Sequence, residues 1–249
     1  MKRLRKAAEA EAVAEFLRNE FYQDDFHYDR MKYEKIVLEP NLHDQLENAI
    51  RRALLFRRRG HMWRELPADT EWWVVQLEIA DVARIRVFPR AQWRKIAAGS
   101  YQLGDIVQRI RSNHFGNGVR RFISKIQSLS YRLRRETDNS SVLLIGIDER
   151  QPLTILEGNH RVVAALLASP DVLLSQFRVL CGFSPRMSES CWYDTNLSTL
   201  WRYFKHRLRN VVDREADVEL VLAAAETAVA EAQERAGRML SANVNNVLR

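Results

Sequence analysis

The segment 153–168 constrains the fold more than any other part of this chain. Leu153–Leu156 is a short apolar stretch typical of a strand, and Val162–Ala168 has the alanine, valine and leucine content of a buried helix. Glu157 and Gly158 lie between the two, and a glycine at such a junction lets the backbone turn sharply and approach a ligand closely. The segment therefore predicts a strand–turn–helix unit, in a fold that contains both a sheet and helices.

Further strands and helices are predicted along the rest of the 249-residue chain. Strand-forming residues indicate strands at Trp72–Leu77, Ile85–Phe88, Val142–Ile147 and Phe177–Cys181, of which the third forms a hairpin with Leu153–Leu156. Apolar periodicity and capping residues indicate helices at Lys2–Phe21, Asn41–Arg59, Gln92–Ala98, Leu103–Ile110, Val119–Glu136, Asn196–Val212 and Ala216–Leu240. Gly60 is expected to end the second helix, and residues 24–35 are expected to be irregular. The pattern predicts the α+β class, with a small mixed sheet and many flanking helices.

The helix predicted at Asn196–Val212 carries large apolar residues at intervals of three and four. They are Leu197, Leu200, Trp201, Phe204, Leu208 and Val211. Because this spacing places them on one face of a helix, we expect them to face the core. The same stretch interleaves aromatic and cationic residues, as surfaces that bind single-stranded nucleic acid do, which is an alternative role for this helix.

Cysteine content and the length of apolar runs limit the class of protein. The chain has two cysteines, Cys181 and Cys191, which are too few for a disulfide scaffold or a four-cysteine zinc site. The longest apolar run, Val162–Ala168, is far shorter than the roughly 20 residues of a membrane span. No apolar signal-peptide core follows the basic N-terminus. We therefore expect a cytoplasmic protein with no membrane partner.

Basic residues are concentrated in the middle of the chain. Residues 82–135 contain 13 arginines and lysines against one acid, whereas residues 213–235 contain seven acids and two arginines. In the helix predicted at Val119–Glu136, four cations share one face: Arg121, Lys125, Arg132 and Arg135. Like charges at this density repel each other unless anionic groups offset them. Either acids of the first and last segments pair with them, or they bind a nucleotide, a nucleic acid or an acidic partner.

The junction Glu157-Gly158-Asn159-His160-Arg161 has the features of an anion site. Backbone N–H groups and the positive dipole end of the following helix point at the turn, where they stabilise an anion. His160 and Arg161 add further donors, although a cation in the first helical turn disfavours the helix. A second interpretation stays open, in which Glu157 caps the helix, His160 packs and Arg161 neutralises an acid.

The order of these elements resembles the ParB/sulfiredoxin-like superfamily. The similarity covers roughly residues 72–183 and is close around Glu157–Ala165. There, Ile-Leu-Glu-Gly-Asn-His-Arg-Val-Val-Ala-Ala is similar to the family's phosphate-binding signature, an acid, a glycine and basic residues before an alanine-rich helix. The resemblance implies a sheet of the ParB/sulfiredoxin type over residues 71–184. Residues 1–70 and 185–249 are expected to be helical extensions at the two ends.

Members of this superfamily bind nucleoside triphosphates, and the resemblance implies a role for each residue of the motif. Nucleotide-binding positions would be Gly158, Asn159, His160 and Arg161, with Arg90 from the Pro-Arg-Ala-Gln stretch before the basic helices. Glu157 and His160 would be the catalytic residues, and Glu157 would also be the Mg²⁺ ligand. Asn159 stands where the sulfiredoxin branch has its catalytic cysteine, so cysteine repair is not implied.

The function implied is Mg²⁺-dependent binding of ATP or another nucleoside triphosphate, for phosphoryl transfer to a small-molecule acceptor or for hydrolysis. The family's kinase branch uses a glutamate base after the first strand, where Glu78 and Asp81 are candidates in this chain. The alternative is a non-catalytic nucleic-acid-binding protein whose basic 82–135 face lies on the phosphate backbone. A third possibility is an interaction module whose basic face binds an acidic protein.

Overall fold

The structure is a computed structural model that describes residues 1–89, 91–112, 115, 117–213, 216–224 and 226–227. Its strands are β1 (Lys2–Ala7), β2 (Glu71–Gln76), β3 (Ile85–Arg86), β4 (Ser141–Gly146), β5 (Leu153–Glu157) and β6 (Arg178–Phe183). Its α-helices are α1 (Glu9–Glu20), α2 (Arg30–Leu38), α3 (Gln45–Trp63), α4 (Ile79–Val82), α5 (Ala91–Ala97), α6 (Leu103–Ser112), α7 (Asn117–Leu133), α8 (Asn159–Ala168), α9 (Pro170–Ser175) and α10 (Leu197–Val212). Short 3₁₀ helices cover Asp24–Asp29 and Met187–Glu189. Within the described ranges, no helix combines the length and the apolar character that crossing a bilayer would need.

The strands form one six-stranded mixed sheet in the order β1-β2-β6-β4-β5-β3. Neighbours are antiparallel at β1/β2, β2/β6 and β4/β5, and parallel at β4/β6 and β3/β5. Because side chains alternate across a strand, β4 places Val142 and Leu144 in one core and Leu143 and Ile145 in another. Helices α5–α9 cover the first core, and α1–α3 cover the second. The predicted α+β class with a mixed sheet is thus confirmed.

Most of the predicted strands and helices are present to within a few residues. The predicted strands at 72–77, 142–147, 153–156 and 177–181 correspond to β2, β4, β5 and β6, and the predicted hairpin is the antiparallel pair β4/β5. Strand β3 is shorter than predicted. The basic helix predicted at 119–136 is α7, and its apolar side packs in the first core.

The prediction of one continuous helix over residues 2–21 is wrong at its start. Residues 2–7 form β1, which pairs antiparallel with β2, and α1 begins only at Glu9. Lysine, arginine and leucine are good helix formers, but backbone pairing with the edge of the sheet outweighs that preference. Every residue of β1 except Ala7 is exposed, and charged side chains on an edge strand discourage pairing with other molecules. The first 70 residues thus contribute a strand to the same sheet as residues 71–184.

Helices α2 and α3 also differ from their predictions. Residues 24–35, expected to be irregular, form the first 3₁₀ helix and most of α2. Helix α3 begins after Asp44, whose carboxylate accepts two backbone hydrogen bonds in the first turn, and it continues through Gly60 to Trp63. A Cβ atom at Gly60 would overlap the side chain of Asn210 on α10. This glycine therefore allows two helices to approach closely and does not end the first of them.

The prediction that α10 buries its apolar face is wrong. Its six predicted core residues, Leu197, Leu200, Trp201, Phe204, Leu208 and Val211, are between 42% and 88% exposed. The helix packs on α3 through its other side, where the rings of Tyr203 and His61 lie 5.9 Å apart. There, Nδ1 of His206 is 2.7 Å from Oε1 of Glu65. Because Glu65 is buried and needs a polar partner, the polar side of α10 faces the protein.

The predicted C-terminal helix, Ala216–Leu240, lies mostly outside the described residues. Within them, residues 218–224 are helical, and Ala216 and Val218 are buried in the same core as α1–α3. Glu219 forms an ion pair with Lys32 of α2. The chain that follows α10 therefore packs beside α2.

Candidate functional site

The predicted strand–turn–helix unit at residues 157–161 is present. Strand β5 ends at Glu157, and α8 begins at Asn159 with Gly158 as its N-cap. Gly158 has a φ of 96°, the left-handed conformation that glycine adopts without strain. A Cβ atom at this position would lie 3.1 Å from Cγ2 of Val142. Both the backbone conformation and the packing therefore require glycine at this turn.

A cleft of about 880 Å³ lies beside the turn. Residues 156–161 form part of its lining, and further lining residues come from four other segments: Phe16, Arg18, Asn19, Glu20, Gln23, Arg59, Gln92, Trp93 and Ser140. The lining contains three arginines against two glutamates. Arg59 contacts Glu20 at 2.9 Å and Asp25 at 2.5 Å, so its charge is largely offset. Arg18 pairs with Glu15 at 3.3 Å and Arg161 pairs with Glu157, so each arginine of the lining has an acidic partner.

Glu157 and Arg161 do not stand alone in the cleft, because Asn19 of α1 joins them in one network. Nη2 of Arg161 donates to Oε2 of Glu157, and Nη1 donates to Oδ1 of Asn19 at 3.0 Å. Nδ2 of Asn19 donates to the same Glu157 oxygen at 2.6 Å and to the backbone oxygen of Ser141 at 2.8 Å. The network fixes the carboxylate and the guanidinium relative to each other and ties both to β4.

Burial raises the pKa of Glu157 to about 7, although Arg161 and Asn19 both act to lower it. The negative charge of nearby Glu20 adds to the increase. A carboxyl group with a pKa near neutrality can both accept and release a proton at physiological pH, which is what general acid–base catalysis requires. The predicted catalytic residue is therefore placed in an environment suited to proton transfer.

Asn159 and His160 lie in the first turn of α8 but have different surroundings. The side chain of Asn159 binds the protein itself, since its Oδ1 accepts the N–H of Phe88 at 2.8 Å. The His160 ring is exposed and lies 5.4 Å from the ring of Trp93 and 5.1 Å from that of Phe122. Asn159 thus holds the segment after β3 against the turn, whereas His160 lines the cleft beside two aromatic rings.

The other predicted site residues are distributed as follows. Arg90 lies outside the described residues. Glu78 and Asp81 form the capping box of α4, and Asp81 also pairs with Arg84. Neither carboxylate lines the cleft at Gly158. The hydrogen bonds of these two carboxylates identify them as capping groups of α4.

All four cations of the predicted face are exposed: Arg121, Lys125 and Arg132 lie on α7, and Arg135 lies in the turn that follows it. Arg132 lies 3.9 Å from Glu136, and the Arg135 guanidinium lies 4.2 Å from the centroid of the Tyr131 ring. In the part of the chain that the structure describes, no acid forms an ion pair with Arg121 or Lys125. These four residues are called the α7 stripe below.

The carboxylates of the cleft are the groups that could hold a metal ion. Within the described ranges, no group of three or more histidine, cysteine, aspartate or glutamate side chains is placed to bind a metal. Glu157 and Glu20 both line the cleft, close enough for one charge to affect the other group's pKa. Mg²⁺ in nucleotide sites usually takes one or two protein carboxylates, with phosphate and water oxygens as its other ligands. The pair fits that mode of binding.

Asn19, Arg18 and Glu20 are the site residues that the sequence reasoning did not identify. They come from the last turns of α1, more than 130 residues before the motif that they contact. A signal was present in the sequence, because Glu11, Glu15 and Asn19 recur every fourth residue on a helix that is otherwise rich in alanine. The first two are buried against Arg178 of β6, so this polar row runs along the sheet toward the cleft.

The chain was compared with protein-family models, with curated proteins and with solved structures. None of the three comparisons gave a match. The resemblance to the ParB/sulfiredoxin-like superfamily therefore stays a prediction from the motif, and the function is argued below from the geometry of the cleft.

Proposed function

We propose that the cleft binds a nucleoside triphosphate with Mg²⁺ and uses it for phosphoryl transfer to a small acceptor or for hydrolysis. The observation that carries the proposal is the left-handed glycine turn at the N-terminus of α8, beside a cleft lined by three arginines. Backbone N–H groups at a helix N-terminus and arginine forks are common ligands of phosphate oxygens. The cleft volume is also in the range of small-molecule sites.

Two buried polar atoms of the lining residues support a polar ligand. Nε of Arg18 and Oγ of Ser140 are buried and have no hydrogen-bond partner among the described residues. Leaving a buried polar group unpaired costs roughly 1–3 kcal/mol. Phosphate and sugar oxygens would offer such groups the partners that they lack.

Arg161 is the residue expected to bind phosphate oxygens. Its contacts to Asn19 and Glu157 orient the guanidinium before a ligand arrives, which reduces the entropy lost on binding. A phosphate group competes with Glu157 for Nη2, while the hydrogen bond from Nη1 to Asn19 keeps the fork in place. His160 is exposed in the same turn and supplies a further donor.

Glu157 has two roles in this proposal. With Glu20 it would hold Mg²⁺, which would supply positive charge to offset that of the phosphate groups. When Glu157 does not bind the ion, its pKa of about 7 lets it accept a proton from an acceptor hydroxyl or from water. Catalysis would then come from positioning, charge neutralisation and one proton transfer.

Titration with ATP, CTP, GTP and UTP, each with and without Mg²⁺, tests the proposal, and phosphate release reports turnover. Arg161→Ala should weaken nucleotide binding by roughly tenfold to a hundredfold, the scale of a charged hydrogen bond. Arg186→Ala is a matched control, because Arg186 is an exposed arginine that pairs with Asp69 and does not line the cleft. Equal affinity of the wild type and Arg161→Ala, or no binding of any of the four nucleotides, would contradict the proposal.

Binding of nucleic acid is a second candidate function, favoured by the exposure of the α7 stripe. Three cations on α7 and a fourth in the turn after it suit the phosphate backbone, and such binding is sequence-tolerant and sensitive to salt. A titration with duplex DNA and with single-stranded RNA at low salt tests it. Absence of binding to both would remove this function and leave the stripe as a solvated face.

A further inference from the structure

The outward side of α10 carries a row of large, exposed apolar side chains. Besides the six residues named above, Val212 is 80% exposed on the same side. At about 100° per residue these side chains cover a sector of roughly 120°. Trp201 and Phe204 are stacked at its centre, with ring centroids 5.8 Å apart.

The rest of α10 is already occupied by the protein. Tyr203, His206 and Asn210 lie on the side that faces α3, where they contact His61, Glu65 and Gly60. The part of α10 that can meet a partner is therefore its apolar sector and the cations beside it.

The charges on α10 are all of one sign. The helix contains no acid, and it has four cations, Arg202, Lys205, Arg207 and Arg209. Arg202 pairs with Glu189, whereas the other three are exposed. On a helical wheel, Lys205 and Arg207 flank the apolar sector on its two sides, and the ammonium of Lys205 lies 5.5 Å from the Trp201 ring centroid.

These charges distinguish between the molecules that could bind the apolar side of α10. A second copy of α10 would bring Lys205 and Arg207 against the same cations, which repel each other. The chain's own residues 228–249 contain two glutamates against three arginines, so they offer no complementary charge. An anionic lipid surface complements the cations and also accepts the aromatic and aliphatic side chains.

We propose that α10 is an interfacial helix, which lies in the plane of an anionic membrane surface with Trp201 and Phe204 buried among the lipid headgroups. Helices that bind membranes in this way have lysine and arginine on both sides of an apolar sector that contains Trp, Phe and Leu. The helix does not cross the bilayer, so the proposal agrees with the lack of a spanning helix in the described ranges. The sequence-based expectation of no membrane partner rests on short apolar runs and the absence of a signal-peptide core, which do not bear on a helix that lies in the interface.

Co-sedimentation of the full chain with lipid vesicles tests the proposal. We expect binding to phosphatidylcholine vesicles that contain about 30% phosphatidylglycerol, and at least about tenfold weaker binding to pure phosphatidylcholine. The double variant Trp201→Glu/Phe204→Glu should reduce binding to the anionic vesicles by about tenfold or more. The control Tyr28→Glu/Met31→Glu introduces the same charges at two other exposed apolar residues and should bind nearly as the wild type does.

Hydrogen exchange on the wild type provides a second measurement that does not depend on a variant. Amides of residues 197–212 should become more protected when anionic vesicles are added. No co-sedimentation at low salt, or equal losses in the two double variants, would overturn the proposal. A dimer of the wild type that dissociates in the Trp201→Glu/Phe204→Glu variant would also overturn the proposal. The apolar side of α10 would then bind a second copy of the chain. Oxidative footprinting of the lipid-free monomer gives a further test. If the Trp201 side chain is protected there, residues 228–249 cover the apolar side of α10, and the proposal is overturned.

Discussion

Replacing Glu157 with glutamine should change how the stability of the protein depends on pH. The carboxyl group is nearly buried, with its side chain 14% exposed, and burial raises its pKa from 4.5 to about 7. The folded protein therefore binds the Glu157 proton more tightly than the unfolded chain does. The contribution of this proton to stability is complete below about pH 4.5 and is lost as the pH rises through about 7.

The size of the effect follows from the difference between the two pKa values. A change from 4.5 to about 7 corresponds to about 3 kcal/mol of unfolding free energy in total. Most of it, about 2–3 kcal/mol, should be lost between about pH 5 and about pH 8. Glutamine has no titrating proton, so the variant should lack this loss. The wild type should become less stable relative to Glu157→Gln by about that amount over this interval.

Urea unfolding at a series of pH values measures this difference directly, with circular dichroism as the signal. Glu71→Gln is a suitable control, because Glu71 is an exposed carboxylate whose pKa is lowered by Lys6. Its replacement should give only a small change, of the opposite sign. If the difference in stability between the wild type and Glu157→Gln is the same at about pH 5 and about pH 8, burial does not control the pKa of this carboxyl, and the reasoning fails.

The remaining predictions concern the neighbours of Glu157 and the α7 stripe. Arg161→Ala should weaken nucleotide binding by roughly 1.5–3 kcal/mol, and Arg161→Lys should restore part of the loss in a calorimetric titration, because a point charge cannot replace a bidentate fork. Gly158→Ala should lower the unfolding free energy by at least about 1–2 kcal/mol, whereas Gly104→Ala, where a Cβ atom meets no neighbour within 4 Å, should not. Asn19→Ala should cost roughly 1–3 kcal/mol and raise the pKa of Glu157 further, which NMR titration would detect. If all four cations of the α7 stripe contact duplex DNA, log K against log salt should have a slope of roughly −3 to −4, and a double alanine variant should halve it.

Segments whose structure depends on near neighbours were the predictable part of this fold. The apolar run Val142–Ile145 indicates a strand buried on both faces, and β4 sends alternate residues to two cores. The junction at Gly158 was predictable for the same reason, because a glycine between an apolar strand and an apolar helix indicates a tight turn. Both depend on chemistry within a few residues, which a sequence displays directly.

The surroundings of the candidate site were less predictable. Asn19 contacts Glu157 across 138 residues of sequence, and it comes from a segment that the motif does not mark. The pKa of Glu157 also depends on how much water the surrounding helices exclude, and on Glu20 at the end of α1. The motif Glu-Gly-Asn-His-Arg therefore indicates the residue types of the site, but their ionisation and orientation come from elements distant in the chain.

Two segments, α10 with its amphipathic pattern and β1 with its helix-forming residues, show what local sequence cannot determine. Local sequence established that residues 197–212 form a helix with one apolar side, because helical periodicity is a property of the segment alone. Which side of α10 meets the protein was decided by α3 and the segment that follows it, where buried Glu65 requires a polar partner such as His206. Likewise, residues 2–7 form a strand because the open edge of β2 offers backbone hydrogen bonds, whose contribution outweighs a weak preference for helix. Burial and backbone pairing depend on which surfaces meet in space, and that is settled only when the chain has folded.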